Sequence, residues 1–465
     1  MTDKLILVLD CGASNVRCIA VNTFGELLVS HSVSNTTRPD PHLAGGLIWD
    51  IDEIWNKILD CTKIVIGKID KSSIAGITVT SFGVDGAPVK KDGTLLFPVI
   101  SWACDRTIPV MEAIEKYIPR EKLYQISGVQ NFSFNTIHKL IWLKEHHPEI
   151  MDKMDQFLFI SSIFLHRLSK ELVTETTMAG TSMLTDWKSR SFSDTIFNAI
   201  GVENKFPRMV ESGELVGYTT PSINSELGIP HKVPVFAAGH DTQFAVYGAG
   251  AKENEVVLSS GTWEILMART KSVGTNTQLS NQQITHEFDA VRGFYNPGIQ
   301  WLGSGILEWL IALLYKNEKA TLKAEQLYDL IIAEARAISN SWLQLNLDFL
   351  HSKGSVSNLN LNCKREEIFR AALDQLAKKA GESLKLLESS CGFRAESVLL
   401  VGGGSKNKLW NEIRARELNI PLKVIGKKET TVLGAALFAL AGAGIYRSPD
   451  EARKQVDYQI EIPGK

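Results

Sequence analysis

The sequence predicts an α/β chain of two related domains, and three observations carry that reading. At 465 residues the chain is longer than one hydrophobic core organises and long enough for two. An element made of an apolar strand, a small-residue turn and a second strand occurs at residues 5–21 and again at residues 255–267. Around these copies, apolar strands that stop at acid- or glycine-bearing loops alternate with segments of helical period. Composition agrees, since 44% hydrophobic and 22% charged residues describe a globular protein. The formal net charge of −2, without a basic run, gives no electrostatic reason to bind nucleic acid or an anionic membrane.

Residues 5–9 are apolar without interruption, the pattern of a strand buried on both faces. The strand delivers Asp10 to the turn Cys11-Gly12-Ala13-Ser14-Asn15, and Arg17 follows. Such a turn lets backbone N–H groups approach a docked group; phosphate is its natural guest, with a metal ion held through the carboxylate. An ordinary β-hairpin explains the same residues, with Val16 to Val21 as the returning strand. Residues 18–21 and 27–31 flank Asn22-Thr23-Phe24-Gly25 and extend the pair into a meander. Ile54, Ile58, Ile64 and Val65 give residues 52–68 a helical stripe, and residues 74–80 form the next strand. That strand ends in Ser81-Phe82-Gly83-Val84-Asp85-Gly86. Open α/β sheets bind ligands beyond the carboxyl ends of strands, which makes this loop a candidate wall of a site. A turn-forming role beside Gly86 also accounts for Asp85.

Residues 98–172 read as mainly helical, and Trp102, Asp105 and Arg106 either line a pocket or simply pack. Residues 176–182, TTMAGTS, are small, hydroxyl-bearing and aperiodic, and read as a loop. Residues 233–238 form a strand ending in Gly239-His240-Asp241-Thr242-Gln243, ahead of a small-residue helix. Position alone leaves Asp241 equally a helix cap or a general base facing a cleft. Residues 255–267 repeat the opening design around Ser259-Ser260-Gly261-Thr262. A last glycine loop, Gly402-Gly403-Gly404-Ser405-Lys406-Asn407, follows a strand at 397–401 and opens a helix at Lys408. Backbone this bare lies flat against a planar ring or a phosphate. Residues 365–389 form a long packing helix, and the Gly- and Ala-rich residues 433–443 permit close approach of helix to sheet. The domain boundary is expected near residues 247–255, dividing the chain into 1–247 and 248–465.

Six cysteines (Cys11, Cys18, Cys61, Cys104, Cys363, Cys391) show no CxxC and no His partner at metal spacing, and read as reduced cytosolic thiols. The apolar run at the N-terminus is too short for a signal peptide, and residues 431–443 fall short of the roughly 20 that a membrane span needs. A soluble cytoplasmic protein is expected, and a homodimer is compatible with it. A dinucleotide-binding dehydrogenase is set aside, because no G-x-G-x-x-G follows the first strand.

The set of motifs resembles the FGGY carbohydrate kinases, and the match runs from Leu5 to Tyr446. In that family a first phosphate loop reads D-x-G-(small)-(S/T)-x-x-R, which Asp10, Gly12, Ala13, Ser14 and Arg17 satisfy. The second reads S-G-T, here Ser260-Gly261-Thr262. The adenosine motif G-G-(G)-x-x-N falls on Gly402, Gly403, Gly404 and Asn407, and the catalytic G-x-D on Gly239-His240-Asp241. The resemblance implies two actin/hexokinase-like (ribonuclease H-like) domains with an ATP and sugar cleft between them. It implies transfer of the γ-phosphoryl of ATP, with Mg²⁺, to the C1 hydroxyl of a 6-deoxy ketohexose. L-fuculose is favoured by TSFGVDGA, AGHDTQFAVYGAGA and NPGIQWL; L-rhamnulose, D-ribulose and D-xylulose are alternatives. Asp241 would be the proton acceptor; Gly83, Asp85, His240 and Gln243 would orient the sugar. Asp10 would sit near the metal ion. Gly12, Ser14, Asn15, Arg17, Gly261, Thr262 and Gln300 would meet phosphates or nucleotide, and Gly402, Gly403, Gly404 and Asn407 the adenosine. Many members carry threonine where Ala13 stands, so backbone N–H groups, Ser14 and Asn15 must substitute for that hydroxyl. An actin- or Hsp70-like ATP-driven binding protein is the alternative of another class; the sugar-loop residues argue against it.

Overall fold

A computed structural model describes residues 4–272, 284–339, 341–349, 353–427 and 429–463. Two compact units are distinguished. The first comprises Met1–Gly250, Thr277–Asn296 and Glu429–Asp457, the second Ala251–Asn276, Pro297–Lys428 and Tyr458–Lys465. The sequence reading cuts the chain once; here two later segments belong with the first unit. Nothing local in their sequence announces it, because their partners lie far away in the chain.

In the first unit, β1 (Leu5–Cys11) is buried at every residue. It pairs antiparallel with β2 (Asn15–Asn22) and β2 with β3 (Leu27–Ser34), completing the expected meander. On its other side β1 runs parallel to β4 (Ile74–Ser81). With β5 (Leu215–Tyr218) and β6 (Pro234–Phe236) the sheet order is β5-β6-β4-β1-β2-β3. A strand flanked on both edges and covered on both faces has no polar side, which is why β1 reads as an unbroken apolar run. The edge strand β3 alternates half-buried and exposed residues instead. Helix α1 (Ile51–Ile66) starts at Asp50, whose carboxylate accepts from the Asp52 and Glu53 N–H groups at 3.1 and 2.9 Å. Ile54, Ile58 and Val65 face the core, whereas Ile64, counted in the sequence stripe, lies off it and is exposed. Helix α2 (Asp241–Gly248) follows β6.

The segment TTMAGTS is not a loop. Residues Thr176–Gly180 form a short buried helix, and the Glu175 carboxylate accepts from the Thr177 and Met178 N–H groups at 2.7 and 3.2 Å. With every side buried there is no amphipathic period to read.

The second unit repeats the topology. Its β7 (Glu255–Ser260) pairs antiparallel with β8 (Trp263–Arg269) and parallel with β10 (Ser397–Val401), as β1 does with β2 and β4. β9 (Tyr295–Leu302) flanks β8, and β11 (Leu422–Ile425) flanks β10. Helix α3 (Arg365–Cys391) buries Phe369, Leu373, Leu376, Leu384 and Leu387, and stops at Gly392, whose φ of +69° suits glycine. Helix α4 (Lys408–Leu418) is capped by Asn407, which accepts from the Trp410 N–H at 3.0 Å.

Helix α5 (Thr430–Gly442) returns to the first unit and lies on α2. A Cβ at Gly248 would meet the Thr430 carbonyl at 1.9 Å, and one at Gly434 the Phe244 carbonyl at 2.0 Å. The glycines of this segment let two backbones touch. No helix among the described residues is long and apolar enough to cross a membrane.

Candidate active site

Because β1, β4 and β6 run parallel, their carboxyl ends share one edge of the first sheet. That edge gathers Asp10, the loop after Ser81, and Gly239-His240-Asp241. Asp10 accepts from Arg17 Nε at 2.8 Å and Nη2 at 2.5 Å, and another Arg17 nitrogen pairs with Glu429. With 5% of its side chain exposed, Asp10 has its carboxyl pushed up to about 6 by burial. Arg17 works against that rise, and the Asp241 charge adds to it. In the turn itself the Gly12 N–H bonds to the Asn15 carbonyl at 2.9 Å, leaving Ser14 and Asn15 exposed.

The Ser81 N–H donates to the Gly239 carbonyl at 3.0 Å, which ties the two loops together beyond the strands. Gly239 has no alternative, since a Cβ there would lie 1.9 Å from a Glu175 carboxylate oxygen. His240 occupies the cap position of α2 without a side-chain cap bond, and Asp241 is the first helical residue. The Asp241 carboxylate is therefore not the cap. It accepts from the Thr242 hydroxyl at 3.1 Å, lies 3.5 Å from His240 Nε2, and keeps 30% of its side-chain surface open. Crowding by protein raises its pKa, and the neighbouring His240 partly offsets the rise. On the far side of the ring, His240 Nδ1 is 3.2 Å from Glu287, which also accepts from the buried Gln243 amide. Burial alone would make His240 less basic; Glu287 reverses this and its pKa is raised.

Gly83 packs on that imidazole: a Cβ would stand 3.0 Å from His240 Cδ2 and 3.1 Å from Nε2. Next to it Val84 holds φ +64°, a left-handed conformation that costs a β-branched residue on the order of 1–3 kcal/mol. The Thr181 hydroxyl accepts from its N–H at 3.2 Å, and its carbonyl accepts from Thr136 Oγ1 at 2.8 Å and Lys139 Nζ at 3.1 Å. Asp85 departs from the expectation of a sugar ligand. It is 0% exposed, paired with Lys139, and accepts from Trp49 Nε1 at 2.6 Å and the Trp102 N–H at 3.0 Å. Burial raises its pKa against the pull of Lys139. Its carboxylate fixes the strained loop and the backbone of Trp102, whose indole is exposed. Arg106, from the same cluster, turns inward to Asp40 at 2.6 Å.

In the second unit the turn after β7 and the glycine loop after β10 are in contact. Gly402 has φ +89°, and a Cβ there would lie 2.5 Å from the Ser260 carbonyl. A Cβ on Gly404 would meet Ser260 Oγ at 2.1 Å, whereas one on Gly403 would meet nothing within 4 Å. Two of the three glycines are thus explained by packing and the exposed middle one is not. Ser260 donates to Glu264 at 2.9 Å; Glu264 forms a wholly buried ion pair with Arg414 and accepts from Trp301 Nε1 at 3.0 Å. Thr262 is exposed, and its carbonyl accepts from the Gly303 N–H at 2.9 Å. Gln300 is exposed on β9, and Asn407 spends its side-chain oxygen on the α4 cap.

The model of the FGGY family of carbohydrate kinases, N-terminal domain, matches residues 5–248, and that of the C-terminal domain matches residues 256–443. The chain belongs to the FGGY family of carbohydrate kinases. It is 46% identical to an L-fuculokinase of Escherichia coli (strain K12), over 99% of this chain and 97% of that protein. A Haemophilus influenzae L-fuculokinase is 43% identical over 97% of each, and a Bacteroides thetaiotaomicron rhamnulokinase 27% identical over 94% of this chain and 90% of that one. Among solved structures, xylulose kinase from Rhodospirillum rubrum superimposes with a TM-score of 0.87 at 18% identity, covering 99% of this chain and 93% of its own. That likeness is one of fold. Three features of this FGGY chain escape sequence reading: Glu287, Lys139, and the Arg414–Glu264 pair. Each meets its partner across a long stretch of chain, 44 residues for Gln243 and Glu287 and 150 for Glu264 and Arg414. No local motif marks them.

Proposed function

We propose that this chain is an L-fuculose kinase that transfers the γ-phosphoryl group of ATP to the C1 hydroxyl of the ketose. The observation that carries the reading is similarity at 43–46% identity, end to end, to proteins named L-fuculokinase. The geometry around Asp241 supports it: a carboxylate partly open to solvent, at a sheet edge, freed from capping and flanked by His240. In the reaction the hydroxyl proton passes to the Asp241 carboxylate as the C1 oxygen forms its bond to phosphorus. The bond to the β,γ-bridging oxygen breaks, and ADP carries away the electron pair. His240 and the backbone at Gly83 hold sugar hydroxyls; Asp85 acts through the loop rather than by touching the sugar. Arg17 and the N–H groups of the Gly12 turn meet phosphate oxygens, as do Gly261 and Thr262. The open face of Gly403 receives the adenosine.

A magnesium ion fits this site as a passenger of the nucleotide. Among the described residues no three His, Cys, Asp or Glu side chains group as a metal cage. Asp10, Asp241 and Glu429 nonetheless outnumber Arg17, leaving an excess of negative charge that a hydrated cation relieves. Asp10 would hold it, and the ion would neutralise the β- and γ-phosphates. Replacing Asp241 by Asn tests the assignment: sugar-dependent ADP release falls by roughly 10²–10⁴-fold while ATP still binds. Turnover within about tenfold of the parent would remove Asp241 from the role.

A further inference from the structure

We propose that Glu287 is a positioning residue for proton transfer, acting on Asp241 through the imidazole of His240. The inference rests on the kinase reading above. One Glu287 oxygen holds His240 Nδ1 at 3.2 Å and takes the Gln243 amide as well, so ring and amide are fixed from one side. The His240 N–H is anchored separately on Thr177 Oγ1 at 2.8 Å. With Nδ1 engaged, Nε2 lies 3.5 Å from Asp241, on the side of the ring where a Cβ at Gly83 would stand 3.1 Å from it. Glu287 on Nδ1 favours the protonated ring, whose positive charge then sits beside the carboxylate that must be ionised to accept a proton. The charged groups that act on the ring are Glu287 on Thr285–Phe288, Asp241 on α2 itself and Glu175 at the start of the short helix; Gly83 packs on it as well and brings no charge. All three are acidic, and Glu287 bonds Nδ1 directly.

Removing Glu287 takes two opposed influences off Asp241: the Glu287 charge, which raises its pKa, and the larger effect of the His240 charge, which lowers it. His240 becomes less basic, the positive charge beside Asp241 weakens, and because that loss outweighs the loss of the Glu287 charge, the Asp241 carboxyl becomes harder to ionise. The acid limb of kcat/KM therefore moves to higher pH in Glu287→Gln. At neutral pH kcat falls by roughly 10–100-fold, by analogy with the loss seen when the hydrogen-bond partner of a metal-ligating histidine is removed. Glu287→Asp, which keeps the charge, recovers part of both. Imidazole ¹⁵N NMR of His240 in the full chain supplies a reading that needs no turnover. The parent His240 titrates above the ordinary histidine value, and that of Glu287→Gln lower than the parent's. An unchanged His240 titration overturns the proposal even if activity drops, because the loss is then merely structural. A shifted titration with an unmoved acid limb also overturns it, since the coupling to Asp241 is then absent. A parent that phosphorylates no ketose overturns the kinase reading instead, and leaves the NMR result to be judged alone.

Discussion

Asp10 and Asp241 stand at the sheet edge with their carboxyls held above the ordinary carboxylate range by burial. Asp10 and Asp241 are legible because an acid at the end of an apolar strand is visible in one dimension. Asp85 was legible as a residue but not as a role: only its neighbours Lys139, Trp49 and Trp102 show that its carboxylate is saturated. His138 was not legible at all. It is fully buried, neither ring nitrogen has a hydrogen-bond partner among the described residues, and burial pushes its pKa down to about 3. A histidine kept neutral by the fold contributes stability above its unfolded value of 6.5, and that stability drains as the pH falls toward 3. Urea unfolding at acid and neutral pH checks this: His138→Leu loses less stability on acidification than the parent, by at most about 5 kcal/mol. Parallel losses in both proteins would mean that the folded His138 takes up its proton as readily as the unfolded one. Activity should show the opposite group at work. If Asp241 is the proton acceptor proposed above it must be ionised, and since its pKa is raised, the acid limb of kcat/KM lies above the ordinary carboxylate value of 3.8.

At the scale of elements, the two β-turn-β units and the triple-glycine loop were readable because strand period and turn chemistry are local. The helix Thr176–Gly180 was not, because full burial erases the amphipathic signal, and its cap is a glutamate rather than one of the usual short side chains. The glycine loop yields the sharpest element-level prediction. Gly403→Val has open space for its side chain and leaves the melting temperature close to the parent's, yet it obstructs the proposed adenosine face. Isothermal titration with ATP should show binding lost. Unchanged affinity would move the nucleotide elsewhere. Gly404→Ala, by contrast, drives a Cβ into Ser260 and should lower thermal stability. Below that loop, Arg414→Met strands the buried Glu264 charge and costs about 3–5 kcal/mol in chemical denaturation. Replacing both partners by apolar residues costs less, because no lone charge remains.

For the molecule as a whole, the recurrence of one strand topology in both units was foreshadowed by two similar hairpins in the sequence. The return of Thr277–Asn296 and Glu429–Asp457 to the first unit was not, and it matters, since those segments bring Glu287 to His240 and Glu429 to Arg17. In the proposed reading, the residues that meet the sugar come from distant parts of the chain, so substrate choice is tested at this scale. The most direct measurement is the ATP-dependent phosphorylation of L-fuculose, L-rhamnulose, D-ribulose and D-xylulose by the purified protein, with ADP release and the phosphorylated carbon both followed. The account predicts the highest kcat/KM for L-fuculose, a 1-phosphate product, and little ADP release without sugar. A clear preference for another ketose, or ADP release that ignores the sugar, would contradict it.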